Sequence, residues 1–264
     1  MELFWYPYSD NILSSGLRLI WLSAAILIAS FEPGLSEPFT GPPAEACLAA
    51  NRDLSLGARL PRTSSRLKSS ERLLIVAIGS SSTVGLWVLQ SSDTYPEVMR
   101  RELGRLRSNA EIKVVNSGRI GDTIEDTIAR FNRDVFSYKP DLVVWQLGTN
   151  DVVWGGHPNT QLKNSVLQGV QMLKASGADI ILMDLQYAPM VLASPYHSKM
   201  EAIVSEVARE EKIGLFSRFA LMRKSIEAGV VQSALVSWDG LHNTVDGYDC
   251  IGRALARSVS NTVP

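Results

Sequence analysis

The sequence predicts an α/β domain in which a parallel sheet is flanked by helices. Three observations predict it. After Glu71, short apolar runs alternate with longer amphipathic stretches. The runs are mostly Val, Ile and Leu, the composition of strands buried on both faces. Three of them end in turns of small residues, two of which lead into a helical pattern. Strand and helix in alternation imply right-handed crossovers and a parallel order, and such a sheet carries its chemistry at the carboxyl ends of its strands.

The strands are expected at 73–78, 112–115, 142–147, 180–185 and, more weakly, 213–216. Helical periodicity covers 95–106, 123–138, 161–175 and 196–211, with Pro140 as a stop after the second. A last helix is expected from about 246 to 258. There is no internal repeat.

In front of this domain the texture differs. Residues 19–31, LIWLSAAILIASF, are apolar and uncharged and follow Arg18; the run is short for a membrane span of about 20 residues. The expectation is an exported protein, periplasmic or secreted, with 1–36 as a signal peptide or, in the alternative reading, an uncleaved anchor. Gly34-Leu35-Ser36 offers small residues for cleavage. Residues 37–70, rich in Pro, Ser, Gly and Arg, lack sustained periodicity and are read as an irregular linker or arm. The domain proper is 71–264. Two readings stand for Cys47 and Cys250: a disulfide formed in an oxidising compartment, or two unrelated buried thiols. Neither belongs to a CxxC pair, so metal and redox motifs have no support.

With 45% of its 264 residues hydrophobic and 20% charged, the chain can bury one sizeable core. A net charge of −1 leaves no electrostatic footprint for nucleic acid. The one basic cluster, Arg62, Arg66, Lys68 and Arg72, is read as solvating the linker.

The first run opens into Gly79-Ser80-Ser81-Ser82-Thr83-Val84-Gly85. Neither GxxxxGK[ST] nor GxGxxG is present, which excludes the familiar phosphate cradles. A serine just past a strand and entering a helix has backbone N–H groups nearby to hold an oxyanion. Serine needs a base, and the chain has three histidines. His242 stands three residues after Asp239 in Ser237-Trp238-Asp239-Gly240-Leu241-His242, so the carboxylate can orient one ring nitrogen and leave the other for serine. His157 and His197 are placed in polar loops without such a carboxylate. Two more strand ends carry Asn116-Ser117-Gly118-Arg119-Ile120-Gly121-Asp122-Thr123 and Gly148-Thr149-Asn150-Asp151. Trp145, Trp154 and Trp238 flank these segments, and Gln186-Tyr187-Ala188-Pro189 follows the fourth strand.

Taken singly, each block is commonplace. In order, and each at a strand end or in the last loop, the four resemble the blocks of the SGNH (GDSL-type) hydrolases, over about residues 73–256. That resemblance implies a flavodoxin-like three-layer α/β/α fold with a five-stranded parallel sheet in the order 2-1-3-4-5. It implies a serine esterase that cleaves acyl esters or thioesters through an acyl-enzyme; an exported chain of this size with no obvious lid insertion suggests short acyl groups, O-acetyl groups on carbohydrate among them. It makes Ser81 the nucleophile and Asp239 and His242 its partners. It implies that the Ser81 and Gly121 N–H groups and the Asn150 amide form the oxyanion hole. No cofactor, metal or obligatory protein partner is implied. Envelope O-acyl transfer, or glycan binding without catalysis on the same fold, are the alternative functions. One position departs from the family pattern: Ser80 stands where Asp is common.

Overall fold

A computed structural model describes residues 42–52, 54–155 and 160–263; the expected signal or anchor at 1–36 lies outside them. Five strands, β1 (Leu73–Gly79), β2 (Ile112–Gly118), β3 (Leu142–Gln146), β4 (Asp179–Met183) and β5 (Gly214–Phe216), make one sheet. All pairings are parallel, in the order β2-β1-β3-β4-β5, as the resemblance implied. Strand β3 is buried along its whole length, which is why Leu142 to Trp145 form a continuous apolar run rather than an alternating pattern. Because β1 lies between β2 and β3, the chain leaves the sheet centre in opposite directions there. This is the switch point at which open α/β sheets place their sites.

The helices in chain order are α1 (Pro43–Ala50), α2 (Pro61–Lys68), α3 (Ser81–Val84), α4 (Tyr95–Leu106), α5 (Ile124–Ala129), α6 (Phe131–Asp134) and α7 (Thr149–Val153). They continue with α8 (Thr160–Ala175), α9 (Pro189–Ala193), α10 (His197–Glu210), α11 (Arg218–Glu227), α12 (Gln232–Leu235) and α13 (Val245–Ser260). α1, α4, α11 and α13 pack together in one layer, and α5, α8 and α10 in the other, so the sheet is the middle of three layers. Among the described residues, no helix is long and apolar enough to cross a membrane.

Four expectations are corrected. The stretch read as an irregular arm is largely helical from residue 43 on. α1 and α2 each start at a proline in the first helical turn, where its missing N–H costs nothing. Cys47, Leu48, Leu56, Leu60 and Leu67 from this stretch belong to the core. The composition misled because α2 is held mostly by polar contacts. Arg62 and Arg66 donate to Asp141 at 2.8 and 3.1 Å, and the Thr63 N–H donates to Asp179 at 2.7 Å. Two members of the basic cluster therefore anchor a helix rather than solvate a linker.

The helix expected over 123–138 is broken into α5, α6 and a short 3-10 turn at Phe136–Tyr138. The break falls at Arg130, whose backbone leaves helical geometry (φ −110°, ψ 7°) while its side chain turns inward. His197, expected in a loop, starts α10, stacks on Phe219 and bonds Glu201 at 3.0 Å. His157 lies outside the described residues. Cys47 and Cys250 form a disulfide with Cα atoms 6.0 Å apart, joining α1 to α13.

Candidate active site

Ser81 is the first residue of α3, directly beyond β1, so its N–H is among the amides that have no partner within the helix. The Ser81 hydroxyl lies 2.8 Å from His242 Nε2, and His242 Nδ1 lies 2.5 Å from Asp239 Oδ2. The three residues separated in sequence by up to 161 positions thus make one hydrogen-bonded chain. Asp239 Oδ1 accepts the Leu241 and His242 N–H groups at 3.0 Å each, fixing the turn that carries the imidazole. Partial burial works to raise the Asp239 carboxyl. Hydrogen bonds from the His242 ring, the two backbone amides and Trp87 outweigh it and hold the group well below the usual carboxylate range. An ionised Asp239 keeps the imidazole hydrogen on Nδ1 and leaves the Nε2 lone pair facing the serine.

The other two blocks converge on the same edge. Gly121 adopts φ +86° with open space where a Cβ would stand, so backbone conformation and not packing asks for glycine there. Asn150, 5% exposed, is one residue into α7 and donates Nδ2 to the Asp122 carbonyl at 2.9 Å. An amide has two such hydrogens; this bond uses one and ties the two loops together. Beside it, Asp151 Oδ1 accepts the Ile124 N–H at 3.2 Å. Burial pushes the Asp151 carboxyl up to about 6, against the opposing hydrogen bond from Ile124.

Several residues that shape the site escaped the sequence reading. Gln146, at the end of β3, accepts from the Ser80 N–H (2.9 Å), the Ser80 hydroxyl (3.0 Å) and the Thr83 hydroxyl (3.2 Å). It therefore clamps both sides of Ser81 and gives Ser80 the partner it needs. A Cβ on Gly79 would meet the Gln146 side chain at 2.7 Å, so this clamp requires the glycine. Arg130, 6% exposed, bonds Asp122 Oδ2 at 2.5 Å, the Gly79 carbonyl at 2.9 Å and the Ser117 carbonyl at 2.7 Å. One guanidinium thus joins the ends of β1 and β2 to the turn after Gly121.

Gln186 is fully buried. It accepts from Thr149 at 2.8 Å and from Arg218 at 2.7 Å and donates to the Leu241 carbonyl at 3.0 Å, bracing the His242 loop against the Asn150 loop. Of the flanking tryptophans, Trp145 is core, with no exposed surface and its N–H on Thr127 at 3.0 Å. Trp154 and Trp238 are exposed.

Comparison with known proteins agrees with this architecture. The model of the Non-GDSL lipase-like family matches residues 46–264. An arylesterase of Vibrio mimicus is 24% identical over 73% of this chain and 90% of its own. An acetylxylan esterase of Geobacillus stearothermophilus is 27% identical over 56% of this chain and 72% of its own. A lipase/acylhydrolase structure from Enterococcus faecalis superposes with a TM-score of 0.61 at 22% identity, covering 73% of this chain and 97% of that one. The chain belongs to the Non-GDSL lipase-like family and is a serine ester hydrolase of the SGNH type.

Proposed function

We propose that the protein hydrolyses short-chain acyl esters, acetyl groups on a carbohydrate among them, through an acyl-enzyme on Ser81. The observation that carries this is the unbroken chain from the Ser81 hydroxyl through His242 to Asp239, at 2.8 and 2.5 Å. Ser81 Oγ attacks the ester carbonyl carbon as its proton passes to His242 Nε2. The carbonyl oxygen becomes an oxyanion facing the Ser81 and Gly121 N–H groups and the free hydrogen of the Asn150 amide. Collapse breaks the bond to the alcohol oxygen, which leaves with the proton from Nε2. Water, deprotonated by the same nitrogen, then releases the acid and restores the serine.

The carbohydrate part of the reading is supported by the activity named for the similar Geobacillus enzyme. Export is supported by the Cys47–Cys250 disulfide, a bond that persists in oxidising compartments, together with the apolar run at 19–31.

The test is covalent labelling. A fluorophosphonate should modify Ser81 alone, read by mass spectrometry of the digested protein, and the Ser81→Ala protein should stay unlabelled. An adduct on Ser80 or Ser82, or none on folded protein, would sink the assignment.

A further inference from the structure

Two indole rings stand in the open at the far end of the triad. Trp87 is 52% exposed and Trp238 is 82% exposed, and their ring centroids are 5.3 Å apart with planes tilted by 53°. Tryptophan is seldom left this bare, and adjacent exposed apolar faces mark binding surfaces. Trp87 is also held there at a cost: it is a bulky residue at φ +73°. Its indole N–H donates to Asp239 Oδ2 at 2.7 Å, on the oxygen that also binds His242 Nδ1. Backbone and tether together fix the ring beside the catalytic carboxylate.

We propose that Trp87 and Trp238 form the leaving-group subsite and stack on a pyranose ring of an acylated glycan. The proposal rests on the esterase reading and adds the residues that choose the alcohol. The side follows from the chemistry. The carbonyl oxygen must face Gly121 and Asn150, whereas the alcohol oxygen must face His242, which returns its proton. The two rings adjoin Asp239, on the His242 end of that line, so they meet the alcohol and not the acyl group. The class follows from the shape. A flat aromatic face matches the C–H face of a sugar, and an indole that remains open to water leaves the sugar hydroxyls hydrated. An alkyl alcohol would gain most from enclosure, which two exposed rings do not give.

The full chain and its Trp238→Ala and Trp238→Tyr variants should be assayed on acetylated xylotetraose, octyl acetate and ethyl acetate. With Trp238→Ala, kcat/KM for the tetraose relative to ethyl acetate should fall about tenfold, mostly through KM, the order expected for losing one aromatic contact. Trp238→Tyr should recover most of that ratio, and the octyl-to-ethyl ratio should change little. An unchanged tetraose ratio, or an equal fall for octyl acetate, overturns the proposal. A separate titration of the Ser81→Ala protein with unacetylated xylotetraose should quench tryptophan fluorescence saturably, and adding Trp238→Ala should abolish the quench. No saturable quench also overturns it. If the wild-type chain cleaves none of the three esters, the esterase reading fails, and the titration still decides whether the rings bind sugar.

Discussion

Asp151 holds a carboxyl group that the fold favours in its neutral form, and Asp151→Asn should expose that preference as a pH-dependent gain in stability. The residue is 8% exposed; Oδ1 accepts the Ile124 N–H, and Oδ2 is buried with no hydrogen-bond partner among the described residues. Burial raises the carboxyl from an ordinary 3.8 to about 6, and the neighbouring Asp126 and Glu125 charges add to the rise. A carboxyl raised on folding binds its proton more tightly in the native state than in the unfolded one. Its contribution is therefore intact below the unfolded value, near pH 4, and declines as pH climbs through about 6. The full interval corresponds to on the order of 3 kcal/mol.

Asparagine keeps an oxygen for the Ile124 N–H but never ionises, so it escapes this decline. The absolute stability of the variant also contains the cost of two new buried N–H hydrogens, so the informative quantity is the difference from wild type across pH. Urea unfolding at steps from pH 4 to pH 7 should show that difference shifting toward the variant by on the order of 3 kcal/mol. A difference that stays flat, or that moves toward wild type as pH rises, would refute the reasoning.

Two further outcomes concern the oxyanion hole and the disulfide. Asn150→Ala should lower kcat by about 10²- to 10³-fold with little change in KM, because the proposed hydrogen bond would be aimed at charge that exists only in the transition state; kinetics on protein with wild-type circular dichroism check this, and near-normal kcat removes Asn150 from the proposed hole. Replacing Cys47 and Cys250 by serine should cost about 2–5 kcal/mol in urea unfolding, since the bond closes a separation of 203 residues; two titratable thiols in unreduced, denatured protein would contradict it.

What the sequence made legible was local. Each strand contains a short run rich in apolar residues, and three of the four blocks lie within a few residues of a strand end, so periodicity and small-residue turns located them. Asp239 and His242 were readable as a pair because they are three apart on one turn. The residues that escaped act across the chain. Gln146 reaches Ser80 over 66 positions, Arg130 reaches the Gly79 carbonyl over 51, and Trp87 reaches Asp239 over 152. A lone Gln inside a strand or a lone Arg inside a helical pattern carries no mark of a distant partner. The break at Arg130 shows the same limit in the backbone: periodicity supports a continuous helix over 123–138, and the guanidinium's three tertiary acceptors overrule it. Composition failed over residues 42–70 for a related reason, because α2 is held by Asp141, just before β3, and by Asp179 of β4, and not by an apolar stripe of its own.

The substitution of Ser80 for the family's more common Asp becomes intelligible through Gln146. The Gln146 Oε1 accepts two bonds from Ser80 and one from Thr83, and an aspartate at 80 would offer that oxygen a second acceptor where it now has a hydroxyl donor. The clamp is neutral, so it adds no charge beside Ser81. On the opposite side, the turn after Gly121 is held from the end of α5 and from α7. The Asp122 side chain bonds Arg130, its carbonyl accepts from Asn150, and the Ile124 N–H donates to Asp151. Strand order explains how one short turn can have all these partners: β1 is flanked by β2 and β3, so the loop after β2 and the loop after β3 close over Ser81 from either side. In the proposed mechanism, donors fixed in this way before substrate arrives need not reorganise when the oxyanion forms, which is the condition under which a hydrogen bond contributes most to rate.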